Sequence, residues 1–224
     1  MKRASVMMRP VALVAIVSTA LVAACGWDPT RPFEREAPEV REAIGQLDGG
    51  DASAANDLLE EYLTTGACKE GSIGTPPRVK ERSNGSFDLG LGLFRIAERY
   101  GKRFGEEESE GAKTMVGPEK ESRADNVACA LRVVRAVAED QSQPVDLRAR
   151  ARYLEGNLLF LNAAYEDAVR AYDHALELAP GMPDGGIEAG PKSFASDPVG
   201  RDAAWNRAIA LRRIEDKKDA GNDA

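Results

Sequence analysis

Residues 149–183 read ARARYLEGNLLFLNAAYEDAVRAYDHALELAPGMP, and their spacing decides what kind of object this chain is. Tyr165, Ala168, Val169, Tyr172, Ala175 and Leu176 recur at i, i+3, i+4 and i+7, which gathers apolar side chains on one face of an α-helix. Leu154, Leu158, Leu159 and Phe160 mark a partner helix just before it. Gly156 and Ala168 carry almost no side chain, so two helices crossing there approach closely. Pro180 cannot continue a helix and ends the second one.

Gly156 followed by Leu159, and Ala168 followed by Tyr172, Ala175 and Pro180, resemble the tetratricopeptide repeat (TPR), a helix–turn–helix unit of about 34 residues. Arg152 stands where that family usually carries Trp, and Glu155 where it usually carries Leu. The resemblance implies an all-α fold: a TPR-like stack of about three helical hairpins plus a C-terminal capping helix, built to bind other proteins.

The flanking sequence carries weaker copies of the same pattern. In 37–63, Val40, Ala43, Ile44 and Leu47 form one stripe, Gly49-Gly50-Asp51 a turn, and Ala52, Ala55, Leu58, Leu59, Tyr62 and Leu63 a second stripe. Ala43, Ala55 and Leu59 then stand where Gly156, Ala168 and Tyr172 stand in the clear repeat. Residues 64–85 are rich in Gly and Pro and read as a loop. Helix 86–102 follows, with Leu89, Leu93, Phe94, Ile96 and Ala97 apolar; Gly90 and Leu93 repeat the Gly156/Leu159 pair. Gly90 and Gly92 each cost about 1 kcal/mol of helix propensity against Ala, so close packing is expected there. Residues 103–122 interrupt this unit with an acidic, solvated loop that lacks the alternating oxygen ligands of a calcium site. Helix 124–140 returns, with Val127, Leu131, Val134 and Val137 inward, and Pro144 and Asp146 open the helix that leads into the clear repeat. After a loop at 181–200, a capping helix 201–216 is expected to bury or half-bury Trp205, Ile209, Leu211 and Ile214. Residues 217–224 read as a polar, disordered tail.

The C-terminal part resembles a narrower group, the TPR protein of the Bat aerotolerance operon. Trp205, Asn206, Ala210, Leu211, Arg212 and Arg213 carry the likeness, with Trp205 replacing the usual Tyr. That likeness implies an envelope complex with von Willebrand factor A-type membrane proteins.

Residues 1–24 are read as a targeting segment outside the helical domain of 37–216. Lys2, Arg3 and Arg9 precede an apolar run at 11–24, which is short for a permanent membrane span. Val22-Ala23-Ala24-Cys25 resembles the bacterial lipobox, which implies lipid on Cys25 and a tether over 25–36; the alternative is a plain secretory signal. Gly26 in place of Asp leans toward the outer membrane, with the domain facing the periplasm. Loss of residues 1–24 removes three cations and no acid, taking the formal charge from −7 to −10. Such an acidic chain disfavours nucleic acid as a partner. In an oxidising compartment the two remaining cysteines, Cys68 and Cys129, are expected to form a disulfide, with two buried thiols as the alternative.

Catalytic chemistry is sparse. His174 is the one histidine, offset from the Tyr172/Ala175 stripe, and no GxSxG, P-loop or zinc-ligand spacing accompanies it. No catalytic residue, metal or cofactor is expected. First helices of such stacks line a groove, and register places Phe87, Leu91, Phe94, Arg95, Arg150, Tyr153, Asn157 and Phe160 there. Asn157 resembles the asparagine of TPR carboxylate clamps, but Tyr153 replaces the lysine, so no clamp is expected. The function expected is a lipid-anchored envelope adaptor without catalysis. The alternatives are a small TPR lipoprotein of outer-membrane or pilus assembly, and an enzyme with an unrecognised site.

Overall fold

Among the described residues, four helices start on a proline, at Pro38, Pro77, Pro118 and Pro198. Proline suits a first helical position, because its missing N–H would have no intrahelical partner there. The computed structural model describes residues 37–100, 117–180 and 198–222, and among them the chain is all-α. The first hairpin is α1 (Pro38–Asp48) and α2 (Ala52–Leu63). A short α3 (Pro77–Glu81) leads into the second, α4 (Ser83–Arg99) and α5 (Pro118–Glu139). The third is α6 (Val145–Leu161) and α7 (Tyr165–Leu178), and α8 (Pro198–Asn222) lies on α7. Asp51 caps α2 by accepting the Ala54 N–H at 3.0 Å, and Thr64, left-handed at φ 57°, ends it.

Each second helix packs on its own first helix and on the next one: α2 on α1 and α4, α5 on α4 and α6, α7 on α6 and α8. The first helices α1, α4 and α6 also touch in succession, and α8 takes the next place after α6. The seams inside hairpins two and three share one device. A Cβ built on Gly156 would lie 2.3 Å from Tyr172 Cε1, and one on Gly90 would lie 2.3 Å from Val134 Cγ2. Tyr172 and Val134 each stand four residues after a fully buried alanine, Ala168 and Ala130, as Leu59 stands four after Ala55. The expected need for glycine at position 90 is therefore met by a real crossing. Gly92 is pressed against Asn56, whose Oδ1 a Cβ there would meet at 2.0 Å.

Several boundaries differ from the sequence reading. Helix α4 starts at Ser83, three residues early, directly after α3 and the non-helical turn residue Arg82 (φ −122°, ψ 52°). Helix α5 starts at Pro118 rather than 124, since a proline followed by Glu119 and Glu121 makes a favourable first turn. Residues 217–222, expected as tail, continue α8. Lys217 holds that end by donating to the Ala163 carbonyl at 3.0 Å, with its ammonium 4.4 Å from the Tyr165 ring centroid. Trp205 is 70% exposed and Leu211 37%, against the expectation that α8 buries or half-buries them, whereas Ile209 and Ile214 are half-buried as expected. The helix turns Ala203, Asn206 and Ala210 inward. The targeting segment, Cys25, the tether, the acidic run at 106–110 and residues 181–197 lie outside the described residues.

The segment after α2 is packed rather than loose. Glu70 and Gly71, both at positive φ, form the tight turn between Lys69 and Ser72, which exchange two backbone hydrogen bonds of 2.9 and 2.8 Å. Gly71 sits against Ala128, and Ile73 is buried. Cys68 and Cys129 are at disulfide distance, Sγ to Sγ 2.08 Å and Cα to Cα 6.0 Å, which ties this segment to α5.

Two buried charges knit the hairpins together. Arg123 of α5 donates to the Tyr100 carbonyl at 3.0 Å and the Leu161 carbonyl at 3.4 Å. It thereby sets one cation on the carbonyl ends of both α4 and α6. Burial lowers its pKa, opposed by Glu98. Glu155 is 5% exposed yet satisfied, because Arg135 of α5 and Arg152 each donate to it at 2.7 Å. An arginine from the neighbouring hairpin thus makes an acid fit where Leu would be usual in the resembling family.

Candidate partner-binding face

Helix α4 places Phe87, Leu91 and Arg95 four residues apart on one line. Phe87 and Leu91 are half-buried, and Arg95 is exposed with no ion pair among the described residues. Arg95 borders a cavity of about 280 Å³ with Leu47, Gly50, Ala52, Glu98 and Arg99. One turn further on, Arg99 is fixed, donating to the Gly50 carbonyl at 2.9 Å. The cavity therefore has one anchored guanidinium, Arg99, and one with no ion pair among the described residues, Arg95. Sequence reasoning finds Arg95 by register but misses Arg99 and Leu47. Their approach depends on how α1 meets α4, and no local spacing reports it.

The other residues expected in a groove divide sharply. Phe94 is 9% exposed and belongs to the core. Arg150 is exposed and lies 3.4 Å from Asp146, a pair of small energetic weight. Phe160 is half-buried and packs its ring 5.1 Å from that of Tyr165. Asn157 is buried at 7% exposure and has no open groove to face. Its Oδ1 accepts from the Tyr172 hydroxyl at 2.8 Å and from Asn206 Nδ2 at 3.1 Å. Asn206 Nδ2 also donates to the Tyr153 hydroxyl at 3.0 Å. This four-residue network pins α8 onto α6 and α7, so Asn157 is corrected from a groove residue to an internal tie. Burial raises the Tyr172 and Tyr153 phenols above their ordinary pKa, so both remain neutral donors or acceptors at pH 7.

His174 is exposed, and its Nδ1 lies 3.1 Å from Glu177 Oε2. Among the described residues no group of three or more His, Cys, Asp or Glu is arranged to hold a metal ion, and no helix is long and apolar enough to cross a membrane. No protein-family model matches this chain, and neither a curated protein nor a solved structure matches it significantly.

Proposed function

We propose that this chain is a lipid-anchored TPR adaptor of a bacterial envelope, held by Cys25 and gripping a protein partner on α4 without doing chemistry itself. The observation that carries the reading is the α4 stripe. A half-buried aromatic and a half-buried leucine run toward Arg95, which has no ion pair among the described residues and sits at the edge of a cavity. Apolar anchors beside a charge able to desolvate are what a bound peptide or helix uses. The lipobox-like Val22–Cys25 stretch supports the anchor, and the likeness of the C-terminal part supports von Willebrand factor A-type membrane proteins as partners, with the domain in the periplasm at the outer membrane.

The test is affinity capture from detergent-solubilised envelopes, comparing wild type with a Leu91→Glu/Arg95→Glu variant whose helicity is first verified by circular dichroism. Phe160 and Tyr153 are poor choices for this test, because one packs on Tyr165 and the other ties α8. Loss of a membrane partner by at least tenfold in the folded variant supports the reading. Equal recovery by both baits overturns this face as the binding site. Metabolic fatty-acid labelling that persists in Cys25→Ala would overturn the anchor.

A further inference from the structure

Helix α8 repeats the first-helix pattern a further time. Phe87, Gly90 and Leu93 on α4, and Tyr153, Gly156 and Leu159 on α6, share one spacing: aromatic, small residue three later, leucine three later again. Trp205, Ala208 and Leu211 have that spacing on α8. In the two earlier helices a second helix covers the small residue and the leucine of the pattern. Val134 meets Gly90, Tyr172 meets Gly156, and Leu93 and Leu159 are only 1% and 6% exposed. Among the described residues no second helix covers α8: Ala208 is exposed, Trp205 is 70% exposed and Leu211 37%. The same kind of seam that is filled twice within the chain is here left open.

We infer that a second copy of this chain fills it, the two α8 helices packing antiparallel about a two-fold axis at Ala208. The sequence of the face selects this occupant. In an antiparallel pair centred on Ala208, residues equally far before and after it face each other. Trp205 then lies on Leu211 of the second copy, each three residues from the centre. Arg201 lies opposite Glu215 of the second copy, each seven residues from the centre, two turns along the same face. Both contacts form twice, as a two-fold interface requires. Ala208 at the crossing lets the helices come close. A parallel arrangement would set Arg201 against Arg201 and Glu215 against Glu215, which repel. The exposed apolar patch and the charges around it are therefore self-complementary in one orientation only. This pairing is independent of what α4 binds, because the stripe on α4 belongs to a different helix.

A face one helix wide is best read by covalent trapping. The full chain carrying Ala208→Cys is expressed in its envelope, oxidised, and run on a non-reducing gel; wild type and Gln141→Cys, an exposed turn position, are the controls. A product of twice the chain mass is expected with Ala208→Cys and not with the controls. Adding Trp205→Glu is expected to lower its yield at least tenfold. Arg201→Glu and Glu215→Arg are each expected to lower it at least fivefold, and the two together in one chain to restore it. All of these residues are exposed on α8, and circular dichroism of the purified variants verifies that they fold. Trapping no stronger than in Gln141→Cys, trapping indifferent to Trp205→Glu, a charge swap that fails to restore, or a product with a different protein would each overturn the pairing. The last outcome would instead assign the face to a foreign helix.

Discussion

Gly156 and Tyr172 show how the absence of one methyl group sets a helix crossing. A side chain at 156 would begin 2.3 Å from the Tyr172 ring, closer than any real contact. Gly156→Ala gains about 1 kcal/mol of helix propensity. The overpacking it causes costs about 1–3 kcal/mol, so the expected result in urea is a net loss of stability. Gly45 is exposed on α1, and a Cβ added there would meet nothing within 4 Å, so no such cost opposes the gain. Gly45→Ala is expected to stabilise by up to about 1 kcal/mol in the same assay, and equal signs for the two variants would refute the packing argument. Tyr172 also gives a pH dependence. Burial raises its phenol pKa in the folded chain, so the unfolded chain ionises first. The associated stability is complete below about pH 10 and is lost as pH rises beyond it. Tyr172→Phe is expected to lose less stability than wild type between about pH 9 and pH 11, followed by denaturant midpoints.

At the scale of elements, the segment 64–76 and helix α5 act as one unit. The disulfide joins residues 61 apart in the sequence, across the first and second hairpins, and such a closure is worth about 4 kcal/mol in the chain-entropy account. Cys68→Ser is expected to destabilise by up to that amount and to make 64–76 the first site of limited proteolysis. Unchanged proteolysis would show that Ile73 and the Lys69–Ser72 turn hold the segment without the bridge. The pairing of Cys68 with Cys129 follows from the sequence on the proposed reading, in which Cys25 carries lipid in an oxidising compartment and two cysteines remain. The start of α5 at Pro118 is not legible, because the acidic residues after it read equally as a continuing loop. Those acids suit a helix N-terminus as well as a solvated turn, and their place in the helix decides between the two roles.

At the scale of the whole molecule, each described hairpin touches its neighbours in order, and α8 is the last described helix of the stack. Stability in such a stack is a sum of local units and the interfaces between adjacent ones. Asn206→Ala removes the donor that joins Tyr153 and Asn157, and it sits only on the last interface. Amide exchange is expected to speed up in α8 and α7 while α1 and α2 keep their protection; uniform loss along the chain would show that the stack unfolds as one body. The same end-effect explains why Trp205 is exposed: the surface that other hairpins cover with their second helix has no cover here among the described residues.

The sequence by itself determined the helical period and the small residues at which helices cross. These are properties of short stretches: a repeat of 3.6, a missing side chain. Tertiary structure alone decided which polar groups meet. Asn157 finds Asn206 across 49 residues, and Glu155 finds Arg135 across 20. That is why Asn157 is a tie rather than a groove residue, and why an acid can occupy a core position. It also decided that α8 turns Ala203, Asn206 and Ala210 inward rather than its larger apolar side chains. Amphipathic spacing reports that a helix has faces, but which face is covered depends on the neighbours the fold supplies.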